Sequence, residues 1–160
     1  MARKVTRKLP PCFEKGMRES GLDEMKFPGK IYYCSHIDEC NVICNELRND
    51  VESVGFDIEW KVAFTSEVRK TALIQVCPSK KICYLFHLSM MNNFPSELKY
   101  ILECENILKV GVGIHNDMQK LKKDFEINAN GYLELSDFAN SKLKSSEKWS
   151  LKGLVLNLVS

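Results

Sequence analysis

Apolar and polar residues follow two rhythms along this chain. Short alternating, branched or aromatic runs predict strands at Lys30 to Cys34, Val54 to Trp60, Thr71 to Cys77, Ile82 to Leu88, Leu108 to Gly113 and Gly131 to Asp137. Pro78-Ser79-Lys80-Lys81 has the length of a hairpin turn between the third and fourth of these. Apolar residues three and four apart predict helices. Ile37 to Arg48 carries the stripe Ile37, Cys40, Ile43, Cys44 and Leu47. Pro95 suits the first position of a second helix, with Leu98, Ile101 and Leu102 on its buried face. A third follows Gly113, with Asn116 as its cap and Met118, Leu121 and Phe125 on one side. Ser150 to Val159 reads as the opening of a fourth. Lys61 to Lys70 is a polar loop. Residues 1–27 lack either rhythm and read as a flexible lead-in to one domain over 28–160. Antiparallel strands first, then strand, helix, strand and helix, predict an α/β fold: a mixed sheet flanked by helices.

At 160 residues and 44% hydrophobic the chain is long enough for a substantial core. A net charge of +2 permits a nucleic-acid partner without requiring one. No apolar run approaches the roughly 18 residues of a membrane helix. Arg3, Lys4, Arg7 and Lys8 have no apolar stretch behind them, so a secretory signal is not expected. They read as a solvated arm, or as a phosphate contact or nuclear address. The seven cysteines form an odd set without zinc-ligand spacing, as expected of a reduced, intracellular protein. His36, Cys40 and Cys44 could share a helix face as a metal site, but Cys40 and Cys44 fall on the apolar stripe and read as small core residues.

The chemistry concentrates in three acids. On a strand, Asp57 and Glu59 share one face while Phe56 and Ile58 take the other. Two like charges there repel and are costly to desolvate, and a divalent cation would remove that cost. Asp117 adds a third acid at a strand-to-helix junction, near the strand ends where ligands bind in open α/β sheets. Each acid alone has an ordinary structural account. A D-x-E pair can be a solvated strand face, and the helix dipole favours Asp117 by roughly 0.3–1 kcal/mol. The surroundings favour chemistry, because the Val54–Trp60 strand is otherwise apolar, where a plain solvated face would more often carry Lys, Thr or Ser. Hard oxygen ligands suit magnesium or manganese. Two such ions about 3.5–4 Å apart can clamp the attacking and leaving oxygens of a phosphodiester.

Gly55-Phe56-Asp57-Ile58-Glu59-Trp60, Ala72-Leu73-Ile74-Gln75-Val76-Cys77, Cys83-Tyr84-Leu85-Phe86-His87, Gly111-Val112-Gly113-Ile114 with Asp117, Leu133-Glu134-Leu135-Ser136-Asp137 and Trp149-Ser150-Leu151 occur in this order. Together they resemble the Werner-syndrome-type 3′–5′ exonuclease domain over about residues 27 to 160. The resemblance implies a ribonuclease-H-like fold of the DEDD superfamily and two magnesium or manganese ions. Asp57 would bridge both ions, Glu59 would hold the one that activates water, and Asp117 would lie on the other's side. It also implies a nuclear enzyme acting on nucleic acid, DNA rather than RNA.

That family places a tyrosine and a fourth aspartate, four residues apart, on a late helix. No Tyr-x-x-x-Asp follows Asp117 here; Tyr132 and Asp137 are five apart, and Asp137 reads as a strand-end structural acid. The chain is therefore expected to lack the third motif and the C-terminal helical part, leaving Leu154 to Val159 without covering helices. Activity is expected to be impaired, and a catalytically inactive nucleic-acid- or protein-binding module is the alternative. Gln119 stands where the family tends to carry an aromatic. Other candidates are Trp60, for stacking on a terminal base or for core packing; His115, as a base, a phosphate contact or a solvent-facing helix start; and Lys120, with Lys122 and Lys123, as a phosphate-steering or merely solvated face. His87, in an apolar strand, reads as a satisfied core residue.

Overall fold

The computed structural model describes residues 26–61 and 69–158. Most of the lead-in, its basic cluster and Cys12, and most of the Lys61–Lys70 loop lie outside the described residues. Six strands form one sheet: β1 (Lys30–Cys34), β2 (Ser53–Trp60), β3 (Thr71–Ser79), β4 (Ile82–Phe86), β5 (Leu108–Gly111) and β6 (Tyr132–Glu134). Their spatial order is β1-β4-β3-β2-β5-β6. The β2–β3 and β3–β4 pairs are antiparallel, and the β1–β4, β2–β5 and β5–β6 pairs are parallel. The expected mixed sheet is thus present, with the acid-bearing strand in its interior.

Helices α1 (Ile37–Asp50), α2 (Ser96–Glu103), α3 (Ile114–Phe125), α4 (Leu135–Leu143) and α5 (Leu151–Leu158) accompany the sheet. Val54, Phe56 and Ile58 of β2 join Ile74 and Val76 of β3 in one buried cluster with Cys40, Cys44 and Leu47 of α1, Leu98, Ile101 and Leu102 of α2, and Ile114, Met118 and Leu121 of α3. Cys40 and Cys44 are completely buried in it, as the helical stripe implies. Strand alternation sends Gly55, Asp57 and Glu59 to the opposite, exposed face.

Several boundaries differ from expectation. Pro95 stands at the N-cap of α2, not inside it. Gly113, with φ of 75°, is the N-cap of α3, and Asn116 lies within that helix. The segment read as a strand from Gly131 to Asp137 is a three-residue strand followed by α4, so Asp137 sits in a first helical turn and not at a strand end. The Glu134 side chain accepts from Ser136 N and stops the strand there. His87 lies just past β4, where Tyr33 Oη meets its Nδ1 at 2.5 Å.

The C-terminal landmark has a local physical role. Asn140 Oδ1 accepts from Trp149 Nε1 at 2.9 Å, Ser145 Oγ at 2.7 Å and Glu147 N at 3.1 Å. Ser150 Oγ then accepts from Gly153 N at 3.0 Å, in the manner of a helix cap. Leu135, Phe138, Leu143, Leu151 and Leu154 line an apolar groove between α4 and α5. Among the described residues, no helix is long and apolar enough to cross a membrane.

Candidate active site

β2 carries Asp57 and Glu59 on the outer face, with Asp57 opposite Gln75 and Glu59 opposite Leu73 of β3. On its other side β2 runs parallel to β5, with Gly55 beside Val110. The next residue of β5, Gly111, lies against β2 so closely that a Cβ there would stand 2.7 Å from Phe56 O. A glycine is needed for that approach. Gly113 then turns the chain in the left-handed region, and α3 starts at Ile114. Asp117 falls in its first turn, only 7% exposed. Two glycines thus bring the third acid to the strand that holds the first two.

The electrostatics record the convergence. Burial first, then the charges of Asp57, Glu134 and Glu59, push the Asp117 carboxyl up from 3.8 to about 7. Asp57 reaches solvent, yet desolvation raises its carboxyl too, opposed by a backbone hydrogen bond at Ile58. Gln75 Nε2 donates to Asp57 Oδ2 at 3.1 Å.

Glu134 completes the junction. Its Oε2 accepts from Ile114 N at 2.9 Å and its Oε1 from Ser136 N at 3.2 Å. One buried carboxylate therefore holds the first N–H of α3 and caps α4, where helix dipoles favour negative charge.

The remaining candidates lie apart from this group. His115 Nε2 is 3.6 Å from Asp137 Oδ2, and its ring meets Tyr132 edge-on at 5.3 Å. Two residues from Asp117 on a helix, it points to another side. Lys120 is not on a solvated face: Nζ contacts Asp124 Oδ2 at 2.5 Å, donates to Arg69 O at 2.9 Å and lies 5.5 Å from the Trp60 ring centroid. Burial would raise Asp124, but hydrogen bonds from Lys120 and Thr71 outweigh it and hold its carboxyl below the usual range. Trp60 is 38% exposed, beyond a register shift that follows Glu59.

Sequence reasoning assigned no role to Gln75, Glu134 or Lys109. A lone amide within Ala-Leu-Ile-Gln-Val-Cys was the available signal for the first. Lys109 is completely buried, and its ammonium donates to Ile101 O at 3.1 Å and Cys104 O at 2.7 Å at the end of α2.

Asp57, Glu59 and Asp117 supply hard carboxylate oxygens, and the charges of the first two act on the third. That donor chemistry fits magnesium or manganese. Among the described residues, no group of three or more His, Cys, Asp or Glu is placed so that it could already hold a metal ion. The fit rests on donor type and electrostatic proximity.

Comparison with known proteins decides the family. A family model described as 3′–5′ exonuclease matches residues 32–160. The chain belongs to the 3′–5′ exonuclease family. The chain is 41% identical over 152 residues to the mouse protein named bifunctional 3′–5′ exonuclease/ATP-dependent helicase WRN, covering 92% of the chain and 11% of that protein. It is 30% identical over 153 residues to a 3′–5′ exonuclease of Arabidopsis thaliana, covering 89% of the chain and 53% of that protein. The chain thus spans a ninth to about half the length of these relatives. Among solved structures, the EXD2 exonuclease domain superposes with a TM-score of 0.64 at 29% identity, over 82% of this chain and 71% of that one. The same domain soaked in Mg and GMP gives a TM-score of 0.65 at 28% identity. The ribonuclease-H-like architecture is shared.

Proposed function

We propose that this chain is a divalent-metal-dependent 3′–5′ exonuclease domain that hydrolyses phosphodiester bonds at DNA 3′ ends. The observation that carries the reading is the Asp117 carboxyl, pushed up to about 7 by burial first and then by the charges of Asp57, Glu134 and Glu59. Such unrelieved like charge suits a cation site. Asp57, Glu59 and Asp117 would hold magnesium or manganese. A bound cation would supply an acidified water and charge to stabilise the departing 3′ oxygen. The protein's own part is to keep the three carboxylates oriented by β2, Gly111 and Glu134. Trp60 offers a partly exposed ring for stacking on a terminal base. Lys120 supports that ring and carries its own charge partner, so its contribution to substrate runs through Trp60. The same reading assigns a nuclear location, supported by Arg3, Lys4, Arg7 and Lys8 and by the likeness to a protein named exonuclease/helicase.

The test is release of a 3′-end label from a duplex with a recessed 3′ end, with Mg²⁺ or Mn²⁺. Wild type releases label and Asp57→Ala does not. Equal release by both sinks the reading; a single-stranded RNA of the same sequence, cut faster, would change the substrate assignment. The alternative is a binding module of the same fold. Equal DNA binding by wild type and Asp57→Ala, with no cleavage by either, would establish the module.

A further inference from the structure

We infer that Gln75 is a positioning residue for the metal-binding carboxylate of Asp57. The inference rests on the proposed cation site and extends it to a neutral side chain on the neighbouring strand. Gln75 is the polar interruption in the middle of β3, between Ile74 and Val76, which are buried, and in register with Leu85 on its far side. The antiparallel register sets half-buried Gln75 directly opposite Asp57 on the outer face. Its Nε2 donates to Asp57 Oδ2 at 3.1 Å.

The choice of an amide has a chemical consequence. A lysine or arginine at this place would neutralise Asp57 and compete with a cation. The amide donates one hydrogen bond to Oδ2 and leaves the full negative charge and the remaining lone pairs for a metal. It also restricts rotation of the carboxylate, because β3 holds its own backbone rigidly beside β2. Partners of this kind that orient a metal-binding carboxylate commonly change metal affinity or activity by about 10–100-fold when removed.

The test titrates Mn²⁺ alone into the full chain by calorimetry, for wild type, Asp57→Ala, Gln75→Leu and Gln75→Asn. Leucine matches glutamine in size but has no donor; asparagine keeps the amide but is one methylene too short to reach. Thermal unfolding checks that each variant is folded, and the asparagine variant serves if leucine disturbs the sheet. The expected result is an Mn²⁺ Kd raised about 10–100-fold in both Gln75 variants, with no binding by Asp57→Ala. The Mn²⁺ concentration for half-maximal label release moves by the same factor, and activity recovers at saturating Mn²⁺. A merely structural role would lower Tm and leave the Mn²⁺ midpoint in place. If wild type binds Mn²⁺, Asp57→Ala does not, and both Gln75 variants bind like wild type, the positioning role is overturned while the cation site stands. If wild type binds no Mn²⁺, or Asp57→Ala binds it equally, the cation site falls and this role with it.

Discussion

Replacing Asp117 by asparagine should stabilise the metal-free protein at neutral pH while removing its metal response. Asparagine resembles the protonated acid in shape and carries no charge. In the folded protein the Asp117 carboxyl is raised from 3.8 to about 7, by burial first and then by Asp57, Glu134 and Glu59. Below about pH 4 both states hold the proton, and Asp117 costs nothing. Between about pH 4 and pH 7 the unfolded chain releases a proton that the folded chain keeps, so stability falls as pH rises. Each pH unit in that window is worth about 1.4 kcal/mol, which sets a ceiling of about 4 kcal/mol at pH 7.5. Urea unfolding in EDTA measures it. Asp117→Asn should exceed wild type by up to about 4 kcal/mol at pH 7.5 and by less than about 1 kcal/mol at pH 4. Adding Mn²⁺ should raise the stability of wild type and leave the variant unchanged, because a ligand stabilises only the state that binds it. Equal stabilities at pH 7.5, or a gap that does not shrink on acidification, would refute the idea that like charge is stored at this site.

Three further outcomes follow from neighbouring groups. Lys109 is buried and its ammonium is lowered from 10.5 to about 8 by desolvation, so between those values the unfolded chain binds a proton that the folded one does not, and stability rises with pH; the stability of wild type relative to Lys109→Met should climb by at most about 3 kcal/mol between pH 8 and 10.5, and a flat difference would show that the ammonium is solvated. Glu134→Ala removes the acceptor for Ile114 N and Ser136 N and should cost about 1–2 kcal/mol, with faster hydrogen exchange at those two amides. Gly111→Ala puts a methyl group 2.7 Å from Phe56 O and should cost about 1–3 kcal/mol in thermal or urea unfolding while weakening Mn²⁺ binding measured by calorimetry; unchanged Mn²⁺ affinity would show that close packing of β5 on β2 does not set the Asp117 position.

The legible parts of the fold were those written in one segment. The alternation of Val54, Phe56 and Ile58 with Gly55, Asp57 and Glu59 assigned both faces of β2, because a strand's period depends on local geometry alone. The stripe through Cys40, Cys44 and Leu47 likewise marked the buried side of α1. The less legible parts depended on distant groups. Asn116 looked like a cap from its type and place, but the first N–H of α3 is taken by Glu134, twenty residues on. Leu135 to Leu143 did not read as a helix, since Glu134 both ends β6 and caps α4. Lys120 looked solvated because nothing in its own helix shows that Arg69 O and Trp60 lie over it.

The sequence by itself determined which residue types could do chemistry, which strand face held Asp57 and Glu59, and which family the chain resembles, since periodicity and motif order are properties of the chain. Tertiary structure alone decided that Asp117 shares their electrostatic neighbourhood, that Gln75 reaches Asp57 and that Glu134 holds the start of α3. Those outcomes depend on strand order, on the β2–β3 register and on the close approach of Gly111 to Phe56, all set by packing between segments far apart in sequence.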